Sequence, residues 1–308
     1  MAVLIKSGNT LVPVGNSFLL ASGISDDDVI QHTAPNFSGS YINNTVSYIG
    51  DAALYKYSNL TNVTCTACQT IGISAFAACL ALTTASFPIC TKVSSYAFRR
   101  CSNLTTISFP TCTNIEYCAF RECTTLEVAS FPACTRVSGY AFLYCYSLTT
   151  AIFPVCTTVV GAAFEHCYAL SSISFPLCTS LEGYAFDFCS SLSSINFPEC
   201  TNISEYAFRG CVALTTVFLP KCTFIGTVAF WSCYNLLSLY LLASTVPTLN
   251  NINAFSSTPI SNYTVSTGGI RGSIFVRESL VSNFKAATNW SIYSARIVGL
   301  TNEQIAAL

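Results

Sequence analysis

Residues 82–103 read LTTASFPICTKVSSYAFRRCSN, residues 104–125 read LTTISFPTCTNIEYCAFRECTT, and residues 126–147 read LEVASFPACTRVSGYAFLYCYS. Each stretch is 22 residues long, and matching positions carry matching classes of side chain. Leu recurs at 60, 82, 104, 126, 148, 170, 192, 214 and 236. Phe recurs on the same period at 76, 98, 120, 142, 164, 186, 208 and 230, each time after Ala. Residues 60–235 are therefore eight units of the form L-x-x-I-x-F-P-x-C-x-x-I-x-x-Y-A-F-x-x-C-x-x, with no insertion or deletion.

One such unit cannot bury its own apolar face and must stack on its neighbours. A period of about 20–29 residues with this apolar spacing predicts a leucine-rich-repeat solenoid: a right-handed stack of 22-residue coils with one parallel sheet, capped at both ends. The alternation in I-x-F predicts a short strand. Pro88, Pro110, Pro132, Pro154, Pro176, Pro198 and Pro220 end it, because proline has no ladder donor. The segment I-x-x-Y-A-F-x-x-C then returns across the other face. Ala fills its position in every unit, which predicts a site with no room beyond a methyl group.

The ends depart from the pattern. Residues 1–37 match no unit and are read as an N-terminal cap or attachment segment, 38–59 as a degenerate first coil, and 236–308 as a last irregular coil and C-terminal cap. Within that cap the pattern predicts a strand near 273–276, a helix near 278–286 and a strand near 296–298. Lys6 is the only basic residue of the first stretch, and Asn9, Pro13, Gly15 and Asn16 break the apolar run after it. This is a poor secretory signal and predicts synthesis in the cytoplasm, with later assembly on a particle or surface left open. No apolar run reaches the roughly 18 residues of a membrane span.

The repeats resemble the BspA-like (Treponema-type) leucine-rich repeats. Leu104-Thr-Thr-Ile107-Ser-Phe109-Pro110 and Tyr96-Ala97-Phe98-Arg-Arg-Cys101 carry the resemblance, as do 273–276 and Trp290 for the C-terminal cap, where Arg277 stands in place of the usual Pro. The resemblance implies a solenoid used in surface adhesion, protein interaction, or phage and prophage structure, and it implies no shared catalytic motif.

Of the 18 Cys, 16 fall 11 residues apart from Cys68 to Cys233, in two columns of eight. A column offers one thiol per coil along a line, whereas zinc needs four converging ligands, and axial neighbours suit disulfide geometry poorly. Buried, reduced thiols used as small apolar side chains are expected. Cys65-Thr-Ala-Cys68 is explained by the repeat, with Cys65 in the Phe column. Cys118 stands where Tyr is usual.

No catalytic residue, cofactor or metal is expected. His32 and His166 are the only histidines, no nucleophile elbow or phosphate-binding fingerprint occurs, and Asp26-Asp27-Asp28 reads as a solvated turn. A net charge of −1 leaves no basic footprint for nucleic acid.

Function is sought in exposed positions. The 27 outward strand positions from Leu60 onward are mostly Ser and Thr, and only Glu127 is charged. The two positions between Ala-Phe and Cys differ: they read Ala77-Ala78, Arg99-Arg100, Arg121-Glu122, Leu143-Tyr144, Glu165-His166, Asp187-Phe188, Arg209-Gly210 and Trp231-Ser232. Seven of these 16 positions are charged against 9% of the chain, so diversity is concentrated here. Arg99, Arg100, Arg121, Glu122, Tyr144, Glu165, His166, Asp187, Phe188, Arg209 and Trp231 are the expected partner-binding residues, being the types that anchor interfaces. Tyr146, Tyr168 and Tyr234 extend the ribbon. The expectation is a non-catalytic interaction or adhesion solenoid recognising a protein or cell-surface glycan; the alternative is a structural subunit that assembles with copies of itself. The plain alternative for the ribbon is an exposed turn that varies because nothing restrains it.

Overall fold

The computed structural model describes residues 39–262 and 267–308. The segment read as an N-terminal cap, with its Asp26-Asp27-Asp28 run and His32, lies outside the described residues. Two compact units form, divided between Phe153 and Pro154, and the described residues of each are built as a parallel β-solenoid.

In the first unit the outer strands Gly39–Asn43, Leu60–Cys65, Thr84–Ser86 and Thr106–Ser108 pair in chain order. Val128–Ser130 pairs with Thr150–Ile152 in the same way. The register equals the period: Thr84 faces Thr106 and Ala85 faces Ile107. The sheet is not alone, which enlarges the expectation of a single one. Two-residue strands, such as Thr70–Ile71, Lys92–Val93 and Asn114–Ile115, form a second parallel ladder at the start of the return segment. Ile at that position is fully buried while its neighbour lies at the surface, the alternation a strand imposes.

The return segment that follows is a run of β-turns. Ala75, Ala77 and Cys79 donate their N–H to carbonyls three residues back in their own coil, while Ser74, Phe76 and Ala78 donate to Ser95, Ala97 and Arg99 of the next. This alternation needs two residues per coil at positive φ: Ser74 and Ala78, then Tyr96 and Arg100, Cys118 and Glu122, Tyr140 and Tyr144, all between 54° and 63°. A side chain in that conformation costs about 1–2 kcal/mol. The hydrogen bond each such N–H makes to the next coil offsets it, as Arg100 to the Arg121 carbonyl at 2.8 Å and Glu122 to the Leu143 carbonyl at 2.8 Å.

Two phenylalanine stacks form the core of this unit. Phe76, Phe98, Phe120 and Phe142 lie parallel at 5.0–5.3 Å, and Phe87, Phe109, Phe131 and Phe153 at 5.3–5.8 Å. Ala75, Ala97, Ala119 and Ala141 are fully buried beside them.

The second unit repeats the plan. Ser194–Asn196, Thr216–Phe218 and Ser238–Leu241 pair in parallel and continue through Ser273–Arg277 to Ile297–Leu300. Thr158–Val159, Ser180–Leu181, Asn202–Ile203, Phe224–Ile225 and Thr248–Leu249 are its inner strands. Phe164, Phe186, Phe208 and Phe230 stack as in the first unit, and Phe255 joins them 5.5 Å from Phe230 across the three-residue slip of register. Trp290 closes this stack: it is buried, 6.0 Å from Phe255, and donates Nε1–H to the Pro247 carbonyl at 2.7 Å. The helix predicted near 278–286 is a 3-10 turn, Glu278–Leu280, followed by the α-helix Val281–Ala286, and a short helix, Asn302–Ala306, ends the chain's described part.

All 18 cysteines are buried and none is in a disulfide. Their column placement has a polar reason besides size. Cys68, Cys90, Cys112 and Cys134 donate S–H to the carbonyl two residues ahead, at 3.1–3.3 Å. Cys79, Cys101, Cys123 and Cys145 donate to the carbonyls of Leu54, Phe76, Phe98 and Phe120 in the preceding coil. A thiol thus fills a small apolar space and adds a second, weak donor to carbonyls such as those of Phe76 and Phe98, which already accept a backbone N–H.

Candidate functional site

The strand face is occupied with its own upkeep. Thr83 and Thr105 donate their hydroxyls to the Thr61 and Thr83 carbonyls, at 2.9 and 3.2 Å, and Thr149 and Thr215 do the same to Glu127 and Ser193. The first outward Thr column therefore serves coil-to-coil bonding.

On the turn face, the backbone bonds described above leave the diversified side chains free of any duty in the ladder. In the first unit they gather around one carboxylate. Arg121 Nε lies 3.0 Å from Glu122 Oε1, Arg100 Nε 3.3 Å from Oε2, and Arg99 Nη2 3.9 Å from Oε1. Three guanidiniums share one negative charge. The Arg99 and Arg121 guanidiniums also lie 5.8 Å and 5.9 Å from the Tyr96 and Tyr144 ring centres. Among the described residues the buried Arg99 Nε–H has no hydrogen-bond acceptor, whereas Arg121 Nε faces the Glu122 carboxylate. The Arg100 side chain is 61% exposed. Tyr117 and Tyr140 pack edge to face at 5.4 Å and are themselves exposed, as is Tyr146 beside Tyr144. Beneath this surface sits the Cys118 thiol, pushed up by burial and pulled back in part by its bond to Arg121.

In the second unit the same backbone positions hold a different arrangement. Asp187, expected at the surface, is fully buried. It takes both arms of Arg209: Nε donates to Oδ1 at 2.8 Å and Nη2 to Oδ2. Burial raises the Asp187 carboxyl from its ordinary value, with Arg209 opposing. The Arg209 guanidinium lies 4.9 Å from the Phe188 and Tyr206 ring centres and 5.5 Å from Tyr184. His166 stacks on Phe188 at 5.0 Å, meets the Tyr168 hydroxyl at Nδ1 and Glu165 at Nε2. Burial lowers its pKa, which keeps the ring neutral near pH 7. Gly210 lies under Phe188, and a Cβ there would come within 2.6 Å of the ring, so only glycine admits this stack. Trp231 remains 40% exposed.

The ribbon is thus two clusters, and the expected residues other than Trp231 divide between them. Arg99, Arg100, Arg121, Glu122 and Tyr144 form the first; Glu165, His166, Asp187, Phe188 and Arg209 form the second, in which Asp187 positions Arg209 from below. Leu143, Ala77 and Gly210 are buried and offer nothing to a partner. The positive φ at the second position of each pair had no sequence sign, because only Gly210 is a glycine. Among the described residues no group of three or more His, Cys, Asp or Glu could hold a metal ion, and no helix is long and apolar enough to cross a membrane.

Against known proteins, the family described as BspA type leucine-rich repeat region matches residues 31–149 and 157–281. No curated protein matches. Among solved structures, a leucine-rich repeat protein from Bacteroides ovatus is 22% identical over 68% of this chain and 65% of that one, with a TM-score of 0.49. The chain thus spans just under two thirds of that protein's length. A T. pallidum leucine-rich repeat protein is also 22% identical, over 52% of this chain and 85% of that one, with a TM-score of 0.46. The pneumococcal vaccine antigen PcpA is 14% identical over 90% of this chain and 71% of that one, with a TM-score of 0.51, a likeness of fold alone.

Proposed function

This chain belongs to the BspA-type leucine-rich repeat family, and from that premise we propose that it is an interaction scaffold whose turn face recognises an acidic partner protein. One observation carries the reading: among the described residues Arg99, Arg100 and Arg121 converge on the single carboxylate of Glu122, leaving two positive charges on a face of Tyr rings. Arg and Tyr are the residue types that dominate binding hot spots. A scaffold whose turns are held by backbone bonds loses little ordering entropy when it binds. On the strand face, by contrast, Thr83 and Thr105 spend their hydroxyls on neighbouring carbonyls.

The test is affinity capture from a proteome with the wild-type chain, followed by measurement of each captured partner against single variants. Arg100→Ala should weaken binding by about 1–2 kcal/mol, as truncation of a hot-spot residue does. Thr106→Ala and Ser172→Ala, on the strand face, should leave it unchanged. Loss of binding by the strand-face pair with Arg100→Ala unaffected would reverse the assignment of faces.

A further inference from the structure

The second unit carries a concave site that the turn-face reading does not use. Ile252, Ile260, Ile292 and Tyr293 wall a cavity of about 430 Å3 beside Ser256 and Ser261. Two arginines enter it from different elements, Arg271 before the strand Ser273–Arg277 and Arg296 at the end of the 3-10 helix Ser291–Arg296. Arg271 Nη1 and Arg296 Nη2 both donate to Asn262 Oδ1, at 3.2 and 2.6 Å. Among the described residues neither has a carboxylate within ion-pair distance. Two like charges held on one neutral amide oxygen repel each other, and a bound anion relieves that repulsion.

A second depression of about 280 Å3 adjoins the first, since Asn253 and Ser256 line both. Its far wall is Tyr206 and the exposed Trp231. Asn253 accepts from the Ser256 hydroxyl through Oδ1, and its Nδ2 has no partner among the described residues. Amide and hydroxyl groups therefore run from an aromatic platform to a pair of uncompensated guanidiniums. We propose that this groove binds an acidic saccharide, with its ring carboxylate on Arg271 and Arg296, its hydroxyls on Asn253 and Ser256, and a neighbouring sugar ring against Trp231. The run of polar groups between the platform and the arginines favours a polyhydroxylated ligand over an acidic peptide, whose backbone offers fewer donors to such a wall. The proposal rests on the reading of the chain as a binding scaffold but shares only Trp231 with the ribbon.

Hexuronates and sialates present the same carboxylate, so trigalacturonate and sialyllactose serve as separate probes, with maltotriose, lactose and tetraglutamate as comparisons. The chain has two Trp, and Trp290 is buried, so quenching of fluorescence by iodide reports Trp231. At least one acidic sugar should protect Trp231 from iodide saturably, and the sugar that does so identifies the source. Neutral sugars and tetraglutamate should give no such protection. R271Q/R296Q should weaken binding by about tenfold or more, as loss of a charge-assisted fork does, with an unchanged circular dichroism spectrum. Should that variant fail to fold, R296Q alone and the salt dependence of wild-type protection decide in its place, and both should show weakening. Absence of protection by either acidic sugar, equal binding of tetraglutamate, or sugar binding indifferent to R271Q/R296Q would overturn the site. Arg100→Ala in partner capture reads the turn-face proposal separately, so either can fail alone.

Discussion

The turn faces of the two units share one backbone and settle their charges in opposite ways. At Arg99, Arg100 and Arg121 the first unit crowds cations onto a half-exposed Glu122. At the equivalent positions the second unit sinks Asp187 into the core, seats Arg209 on it and seals it with Phe188, Tyr184 and Tyr206. Both versions are compatible with the fold because the positive-φ residues bond coil to coil through their own N–H, whatever side chain they bear. The difference teaches that in this solenoid the turn backbone is structural and the turn side chains are free to be specialised. One patch keeps an excess of two positive charges; the other pairs its buried carboxylate with Arg209.

What the units share should respond alike. Burial pushes Cys79 and Cys90 in the first unit, and Cys200 and Cys222 in the second, up to about 12 from an ordinary 9.0. The folded value lies above the unfolded one, so the stabilisation is complete below pH 9 and is lost as pH climbs from 9 toward 12. At pH 11 the unfolded state gains about 2–3 kcal/mol per such thiol, and a handful of them exceeds the stability of a typical domain. Circular dichroism across pH 8–11 should show cooperative unfolding, with thiol reagents reacting only as it proceeds. A fold intact at pH 11.5 would contradict the buried thiol columns.

Phe142→Ala and Phe164→Ala, one in each unit, should each cost about 3–5 kcal/mol in denaturant unfolding. Both rings are fully buried, and the loss should spread to adjoining coils. A large cost in only one would mean that the shared core is not shared.

The charged clusters should part company. Asp187→Ala strands Arg209 and should cost about 2–3 kcal/mol, the low end for breaking a buried pair because Arg209 is partly exposed. Replacing both residues with apolar ones should recover much of it. Glu122→Ala should change stability by less than about 1 kcal/mol, since Glu122 and its partners all keep partial access to solvent. Equal effects would erase the contrast drawn above.

The repeat was legible in the sequence because a fixed 22-residue period reports the core directly: Leu104, Phe109, Cys112, Ile115, Ala119, Phe120 and Cys123 all lie where the pattern puts them. The turn conformation was not, because Tyr96, Arg100 and Glu122 take positive φ with none of the Gly or Asn that advertise it. The inner ladder escaped notice because two-residue strands leave no alternation to count. The ribbon was visible as a concentration of charge, yet which charges face solvent depends on pairing across 22 residues, as Arg209 with Asp187, and that cannot be read from either unit alone. Arg271 and Arg296 carry no repeat register at all, so only the folded cap brings them together.

The central claim is that the first unit's arginines serve binding and not folding. The most direct measurement pairs urea unfolding of R99Q/R100Q/R121Q with its affinity for a partner captured by the wild-type chain. The midpoint should lie within experimental error of wild type, because backbone bonds between coils hold the turn conformation, together with loss of most of the affinity. A collapsed midpoint would make the cluster structural, and full affinity in the folded variant would remove it from the binding surface.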